Sequence, residues 1–214
     1  MDRIVCGLIA CLMSVISTGV GAADKPIYYV YLAGPEVFLP KPVKAGREKK
    51  AVIERLNAEH DWPFRLVGLY PLDNEIPDFK PDRDTGLRIY RANIEMMNKA
   101  HFIAANMVRF RGPGMDTGTA FEMGYMRGLG KPVFGYYESA PFYGTSEAAG
   151  LYSDKVALHY KLDAKNPRVD GHGQLVENFG MADNLMMIGA LDDAGSTVQP
   201  TFEEAILRIA ESLK

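Results

Sequence analysis

Apolar and polar positions alternate along this chain in a rhythm of strand, helix, strand, helix. Ile27-Tyr28-Tyr29-Val30-Tyr31-Leu32-Ala33 is a continuous β-prone run, the pattern of a strand covered on both faces. Gly34-Pro35 stops it. A charged stretch from Val43 to about His60 places Val52, Ile53 and Leu56 on one helical face. Phe64-Arg65-Leu66-Val67-Gly68-Leu69 predicts a second strand, and the Pro- and Asp-rich segment from Pro71 to Asp84 a long loop. A helix is expected from about Gly86 to Lys99, followed by a strand from His101 to Asn106. The next helix runs from Thr117 to Leu129, and Gly130-Lys131-Pro132 ends it before the strand Val133-Phe134-Gly135-Tyr136. An amphipathic helix from Thr201 to Leu213 closes the chain, opened by a Thr201/Glu204 capping box. Such alternation predicts an α/β fold with a parallel, Rossmann- or flavodoxin-like sheet of about five strands and helices on both faces. Ligands in these folds sit beyond the carboxyl ends of the strands.

The N-terminus reads differently. Arg3, the apolar run Ile4 to Ile16 and the small residues from Ser17 to Ala23 describe a secretory signal peptide, with cleavage after Ala22. The run falls short of the ~20 residues a membrane-spanning helix needs. The expected division is therefore a signal peptide over residues 1–22 and one domain over 23–214, destined for the periplasm or secretion. Cys6 and Cys11 both lie in the segment to be removed, so the mature chain is expected to hold no thiol.

Composition narrows the function classes. The chain has 214 residues and a formal net charge of -3, which offers no electrostatic grip on a nucleic-acid polymer or an anionic membrane. No Gly-x-Gly-x-x-Gly or Walker-type loop is present. His60, His101, His159 and His172 are scattered without metal-ligand spacing. No cofactor and no metal are expected.

Candidate chemistry gathers at the predicted strand ends. The most informative stretch runs from Phe110 to Tyr125, reading Phe110-Arg111-Gly112-Pro113-Gly114-Met115-Asp116-Thr117-Gly118-Thr119-Ala120-Phe121-Glu122-Met123-Gly124-Tyr125. Gly112, Pro113 and Gly114 shape a turn, and Asp116 or Thr117 can cap the helix behind it. Glu122 falls in the second helical turn. Gly118 and Gly124 each cost about 1 kcal/mol in a helix relative to alanine, a cost that a close backbone approach to a ligand would explain. Spacing alone also fits a capped surface helix with Glu122 in solvent. Arg109 and Arg111 can meet a phosphate or pair with Asp116.

Tyr31-Leu32-Ala33-Gly34-Pro35 with Val37-Phe38, the block from Phe110 to Tyr125, Gly130-Lys131-Pro132-Val133 and Asn184-Leu185-Met186 together resemble the nucleoside 2-deoxyribosyltransferase family. The similarity spans nearly the whole mature chain in the same order. It implies that Glu122 is a nucleophile that attacks C1′ of a deoxyribose as the base leaves. It makes Asp116 the residue that contacts the base and helps move its proton, and Tyr31 the hydroxyl that orients Glu122. By the same resemblance Gly34, Asp73, Glu75, Asn93 and Gly118 line the substrate site. Asn184 and Met186 would reach into a neighbouring subunit's site, which implies a homo-oligomer with shared active sites. The chain departs from some members in carrying Asn93 in place of an acidic residue and Glu75 in place of a base-reading glutamine. The implied partners are small nucleosides and free nucleobases. Three outcomes remain open from sequence: exchange of bases between 2′-deoxyribonucleosides, hydrolysis of nucleosides or nucleoside monophosphates with water as acceptor, and capture of nucleosides by an exported protein without turnover.

Overall fold

The computed structural model describes residues 25–143 and 150–214. The expected signal peptide lies outside the described residues. Four parallel strands form one sheet in the order β2-β1-β3-β4: β1 is Ile27–Ala33, β2 Arg65–Leu69, β3 Phe102–Asn106 and β4 Val133–Tyr136. The central strand β1 pairs Tyr31 with Leu69 on one side and with Ile103 on the other. Its apolar run is continuous because both faces are covered. Val30 and Leu32 enter one core with Leu56, Phe202 and Ile206. Tyr31 and Ala33 enter a second core with Ile103, Met97, Met123 and Leu191.

Helices α1 (Pro42–Glu59) and α7 (Phe202–Glu211) supply the first core. Helices α2 (Arg83–Lys99), α3 (Thr117–Gly128) and α6 (Leu185–Asp192) supply the second. Between β4 and α6 stand two shorter helices, α4 (Ala140–Tyr143) and α5 (Tyr152–Tyr160). Each fully buried Leu, Ile or Phe contributes ~1.5–3 kcal/mol relative to exposure, so the two cores hold the helices to the sheet. Among the described residues, no helix is long and apolar enough to cross a membrane.

Among the described residues the sheet has four strands, in keeping with the expected parallel sheet of about five. The segment beside β4 forms only one bridge, Tyr136 to Gln199, with Gln199 N–H donating to Gly135 O at 2.9 Å and Gln199 O accepting from Tyr137 N–H at 2.9 Å. Pro200 follows without an N–H to extend the ladder, and Thr201 already caps α7. Helix α2 begins earlier than the expected Gly86. Asp82 caps it by accepting from Thr85 N–H at 2.9 Å, the standard economy of an acidic N-cap. Within the expected loop from Pro71 to Asp84, Pro71–Asp73 forms a 3-10 turn. Helix α5 had no counterpart in the periodicity.

The Gly130-Lys131-Pro132 stop also clamps two elements. Lys131 Nζ donates to Met97 O, Asn98 O and Ala100 O at 2.9, 2.7 and 2.6 Å, satisfying carbonyls that the end of α2 leaves open. Lys131→Met keeps the aliphatic stem and removes these bonds. It is expected to cost about 1–3 kcal/mol, read as a lower urea midpoint; an unchanged midpoint would contradict the clamp.

Candidate active site

Strand parity turns Tyr31 toward α2 and α3, where its side chain is fully buried. Its hydroxyl donates to Glu122 Oε1 at 2.5 Å, joining residues 91 positions apart. Glu122 is partly buried in α3, between the core residue Met123 and the exposed ring of Phe121. The carboxyl is therefore not a freely solvated group. Burial pushes it up to about 7, against the pull of the Tyr31 hydroxyl, which favours the anion; the negative charge of Asp116 adds to the rise. The Tyr31 hydroxyl is itself raised far above its ordinary value, by burial first and then by Glu122. It stays protonated and remains a donor.

Asp116 is the N-cap of α3. Its Oδ2 accepts from Thr119 N–H at 2.9 Å and from Thr119 Oγ1 at 3.0 Å, which leaves Oδ1 outside the cap. A Cβ on Gly118 would stand 3.1 Å from that same Oδ2, whereas one on Gly124 would meet open space. The cap accounts for the first glycine, and packing does not account for the second. Gly34 has a different reason: a Cβ there would lie 2.0 Å from Glu36 Oε2 and 3.0 Å from Asn106 Cβ.

Between β3 and α3 the chain folds into a tight hairpin, with Arg109 bridged to Met115 and Phe110 N–H donating to Gly114 O at 2.9 Å. Arg111 takes a left-handed φ of 56°, uncommon for a residue with a side chain. Its guanidinium lies over the rings of Phe38 and Phe110, at 4.9 and 4.7 Å from their centres, rather than on Asp116. Asp183, almost fully buried, anchors the hairpin by accepting from Met115 N–H at 3.2 Å. Burial lifts the Asp183 carboxyl above its ordinary range, opposed by the Asn184 N–H and by Lys155.

The remaining sequence-expected residues divide into separate groups. Asn184 caps α6 by accepting from Met186 N–H at 3.0 Å, and its Nδ2 donates to Glu177 at 2.7 Å. Met186 stands 67% exposed beside it, free to meet another molecule. Asp73 faces α1: it pairs with Lys50 at 2.5 Å and accepts from Tyr70 N–H at 2.9 Å. Glu75 is exposed. Asn93 accepts from Asn74 Nδ2 at 3.2 Å, so Asn74 is the member of the Asp73-Asn74-Glu75 trio joined to it. The sequence reading passed over Asn74, Asp183 and Asn106. Asn106, fully buried at the end of β3, donates to Glu36 Oε1 at 2.7 Å and to Glu138 O at 3.2 Å, and accepts from Val108 N–H at 3.2 Å. It thereby ties the loops after β1, β3 and β4 together. A polar side chain closing an otherwise apolar strand was the available signal.

The geometry makes a pH prediction. Tyr31→Phe removes the donor that holds Glu122 down, so the carboxyl rises further above 7. A charge-assisted hydrogen bond is worth about 1.5–3 kcal/mol, or about one to two pH units. Where activity needs Glu122 ionised, the ascending, acid-side limb of a pH–rate profile is expected to move up by about that amount. A limb that stays in place would show that the hydroxyl does not tune Glu122.

Comparison with known proteins gives the following. A family model described as nucleoside 2-deoxyribosyltransferase matches residues 30–186, which includes Tyr31, Asp116, Glu122, Asn184 and Met186. An uncharacterised protein of Schizosaccharomyces pombe is 28% identical over 205 residues, 86% of this chain and 89% of that protein. Among solved structures, a 2-desoxiribosyltransferase from Leishmania mexicana is 27% identical with a TM-score of 0.55, covering 86% of this chain and 97% of its own. A conserved protein from Enterococcus faecalis V583 shares the fold at 19% identity and a TM-score of 0.52, covering 88% and 99%.

Proposed function

Because the chain belongs to the nucleoside 2-deoxyribosyltransferase family, we propose that it exchanges the bases of 2′-deoxyribonucleosides through a deoxyribosyl ester on Glu122. The observation that carries this reading is the buried Tyr31 hydroxyl held 2.5 Å from the Glu122 carboxylate. An ionised Glu122 oxygen attacks C1′ of the sugar. The bond from C1′ to the base nitrogen breaks, its electron pair goes to the base, and a proton reaches that nitrogen by way of Asp116 Oδ1. An acceptor base then attacks C1′ from the other side and displaces the Glu122 carboxylate, and its own proton leaves by the same route. Two inversions return the original β configuration, the logic of a retaining glycosidase with a carboxylate nucleophile.

Tyr31 divides its influence between the two states of the cycle. It stabilises the free carboxylate before attack, and it donates to the same oxygen as the ester forms or leaves. Burial works in the opposite sense by weakening solvation of the anion, so an ionised Glu122 is a better nucleophile than a solvated carboxylate.

Met186 and Leu185 at the start of α6, and Phe121 on α3 next to Glu122, are exposed apolar side chains. Such side chains suit contact with a second copy of the chain, in keeping with a homo-oligomer that shares active sites. Export to the periplasm or beyond, with processing after Ala22, is proposed on the pattern of Arg3, Ile4 to Ile16 and Ala22; N-terminal sequencing of the exported protein reads it directly.

Incubating the protein with deoxyinosine, with and without adenine, separates the reactions. Deoxyadenosine appearing only with adenine supports transfer. Free deoxyribose at equal rates in both tubes assigns the same covalent step to water, and saturable binding without products would leave a carrier.

A further inference from the structure

A cavity of about 900 Å³ opens on the face of the sheet opposite Glu122, between α1, α7 and the loop that follows β4. Its volume lies in the upper range of small-molecule sites. Its walls are apolar, with Leu39 and Val52 on one side and Pro141, Phe202 and Leu207 on the other. Its floor is charged: Glu36, Lys49 and Glu138 all line it.

The floor's charges do not balance. Lys49, 6% exposed, meets Glu36 Oε1 at 2.6 Å and donates to the Tyr136 hydroxyl at 2.5 Å. That pair neutralises itself, although Glu36, 2% exposed, still has Oε2 buried without a hydrogen-bond partner. Glu138 is the surplus anion. Asn106 occupies its backbone O and N–H, and its carboxylate accepts no hydrogen bond among the described residues. Burial raises the Glu138 carboxyl, against the pull of Lys49, while Glu36 adds to the rise. At the rim, Lys44 pairs with Glu48 at 2.7 Å, Glu203 pairs with Arg55, and Glu204 accepts from Thr201 Oγ1 at 2.8 Å. Lys41 also stands there, an exposed cation in solvent.

A half-buried carboxylate without a donor, set under flat apolar walls, is complementary to a cation with paired N–H groups and a planar body. Two parallel N–H···O bonds to one carboxylate are the strongest such pairing. We propose that this cavity binds a small planar organic cation of the amidine class, with its N–H donors on Glu138 and its body against Phe202 and Leu207. The site is separate from Glu122, and occupancy of one does not require the chemistry of the other.

Benzamidine is the probe, and benzoate, of the same shape and opposite charge, is its control; both are titrated by calorimetry. The expected result is saturable one-to-one binding of benzamidine, weakened by about tenfold or more in Glu138→Gln. Leu207→Trp, which fills the cavity without touching a charge, is expected to weaken it as well. Glu122→Ala is expected to leave it unchanged, which keeps this test apart from that of the proposed reaction. Absence of benzamidine binding, equal binding of benzoate, or binding indifferent to both Glu138→Gln and Leu207→Trp in folded protein would overturn the proposal.

Discussion

Glu122→Gln is expected to abolish base exchange, lowering kcat by at least about three orders of magnitude, and to make the fold more stable above pH 7. The first effect follows because an amide oxygen cannot form the glycosyl ester and regenerate as a carboxylate leaving group. The second follows from linkage. The folded carboxyl titrates at about 7, against 4.5 as the ordinary value, so the native state holds the proton more tightly than the unfolded chain does. Below the unfolded value both states are protonated and the residue costs nothing. As pH rises from there through 7, stability is lost progressively, by at most about 3 kcal/mol. Glutamine cannot ionise and does not suffer the loss. Melting curves at pH 4 and pH 8 check it: the variant and the parent should melt together at the lower pH, and the variant should melt higher at the upper one. A variant that melts lower at both would mean that Glu122 supports the fold. A carboxylate that serves the structure is stabilising; one kept for chemistry is paid for in stability.

Asp116→Asn is expected to lower kcat by about a hundredfold or more while leaving the melting temperature nearly unchanged. Asparagine is as good an N-cap as aspartate, so the bond to Thr119 N–H at 2.9 Å survives. What disappears is the carboxyl that carries the proton, and a positioned acid or base contributes about 10²–10⁴ in rate. Asp116→Ala loses both roles and should also lose about 1 kcal/mol of stability. The comparison separates the cap from the chemistry. Removing the Asp116 charge also lowers Glu122, because that charge contributes to its rise. The ascending pH limb in Asp116→Asn should therefore shift down, opposite in sign to the shift in Tyr31→Phe. Equal activity of Asp116→Asn and the parent would reduce Asp116 to a cap.

The fold was legible where one local pattern decides the element. The unbroken β-prone run from Ile27 to Ala33 reads as a strand covered on both faces, and Thr201 with Glu204 announces the last helix. The single bridge that Gln199 makes beside β4 was not legible, because its length is set by Pro200 and the cap at Thr201 together. Helix α5 carries no strong apolar period: Leu158 is 83% exposed and Val156 is buried, so burial there depends on tertiary contacts. At the site, the turn before α3 offered Asp116 or Thr117 as its cap, whereas Tyr31 was named only from the resemblance; the burial of Glu122 depends on β1 passing beneath α3, a contact across 91 residues. Asp73 was named from the resemblance alone, and no local pattern foretold that the turn backbone and Lys50 would both engage its oxygens. Lys49 was passed over in a charge-rich helix. Yet it shares the buried stripe of Ile53 and Leu56, and its spacing of four and seven residues from them was the available sign.

In the proposed reaction Glu122 carries the sugar between bases. Acid quenching of the protein during turnover of deoxyinosine, followed by peptide mass spectrometry, tests it most directly. The expected result is one deoxyribosyl group attached at Glu122 in the peptide that spans α3, absent from Glu122→Gln. Continued turnover with the group attached to any other residue, or undiminished turnover by Glu122→Gln, would contradict it.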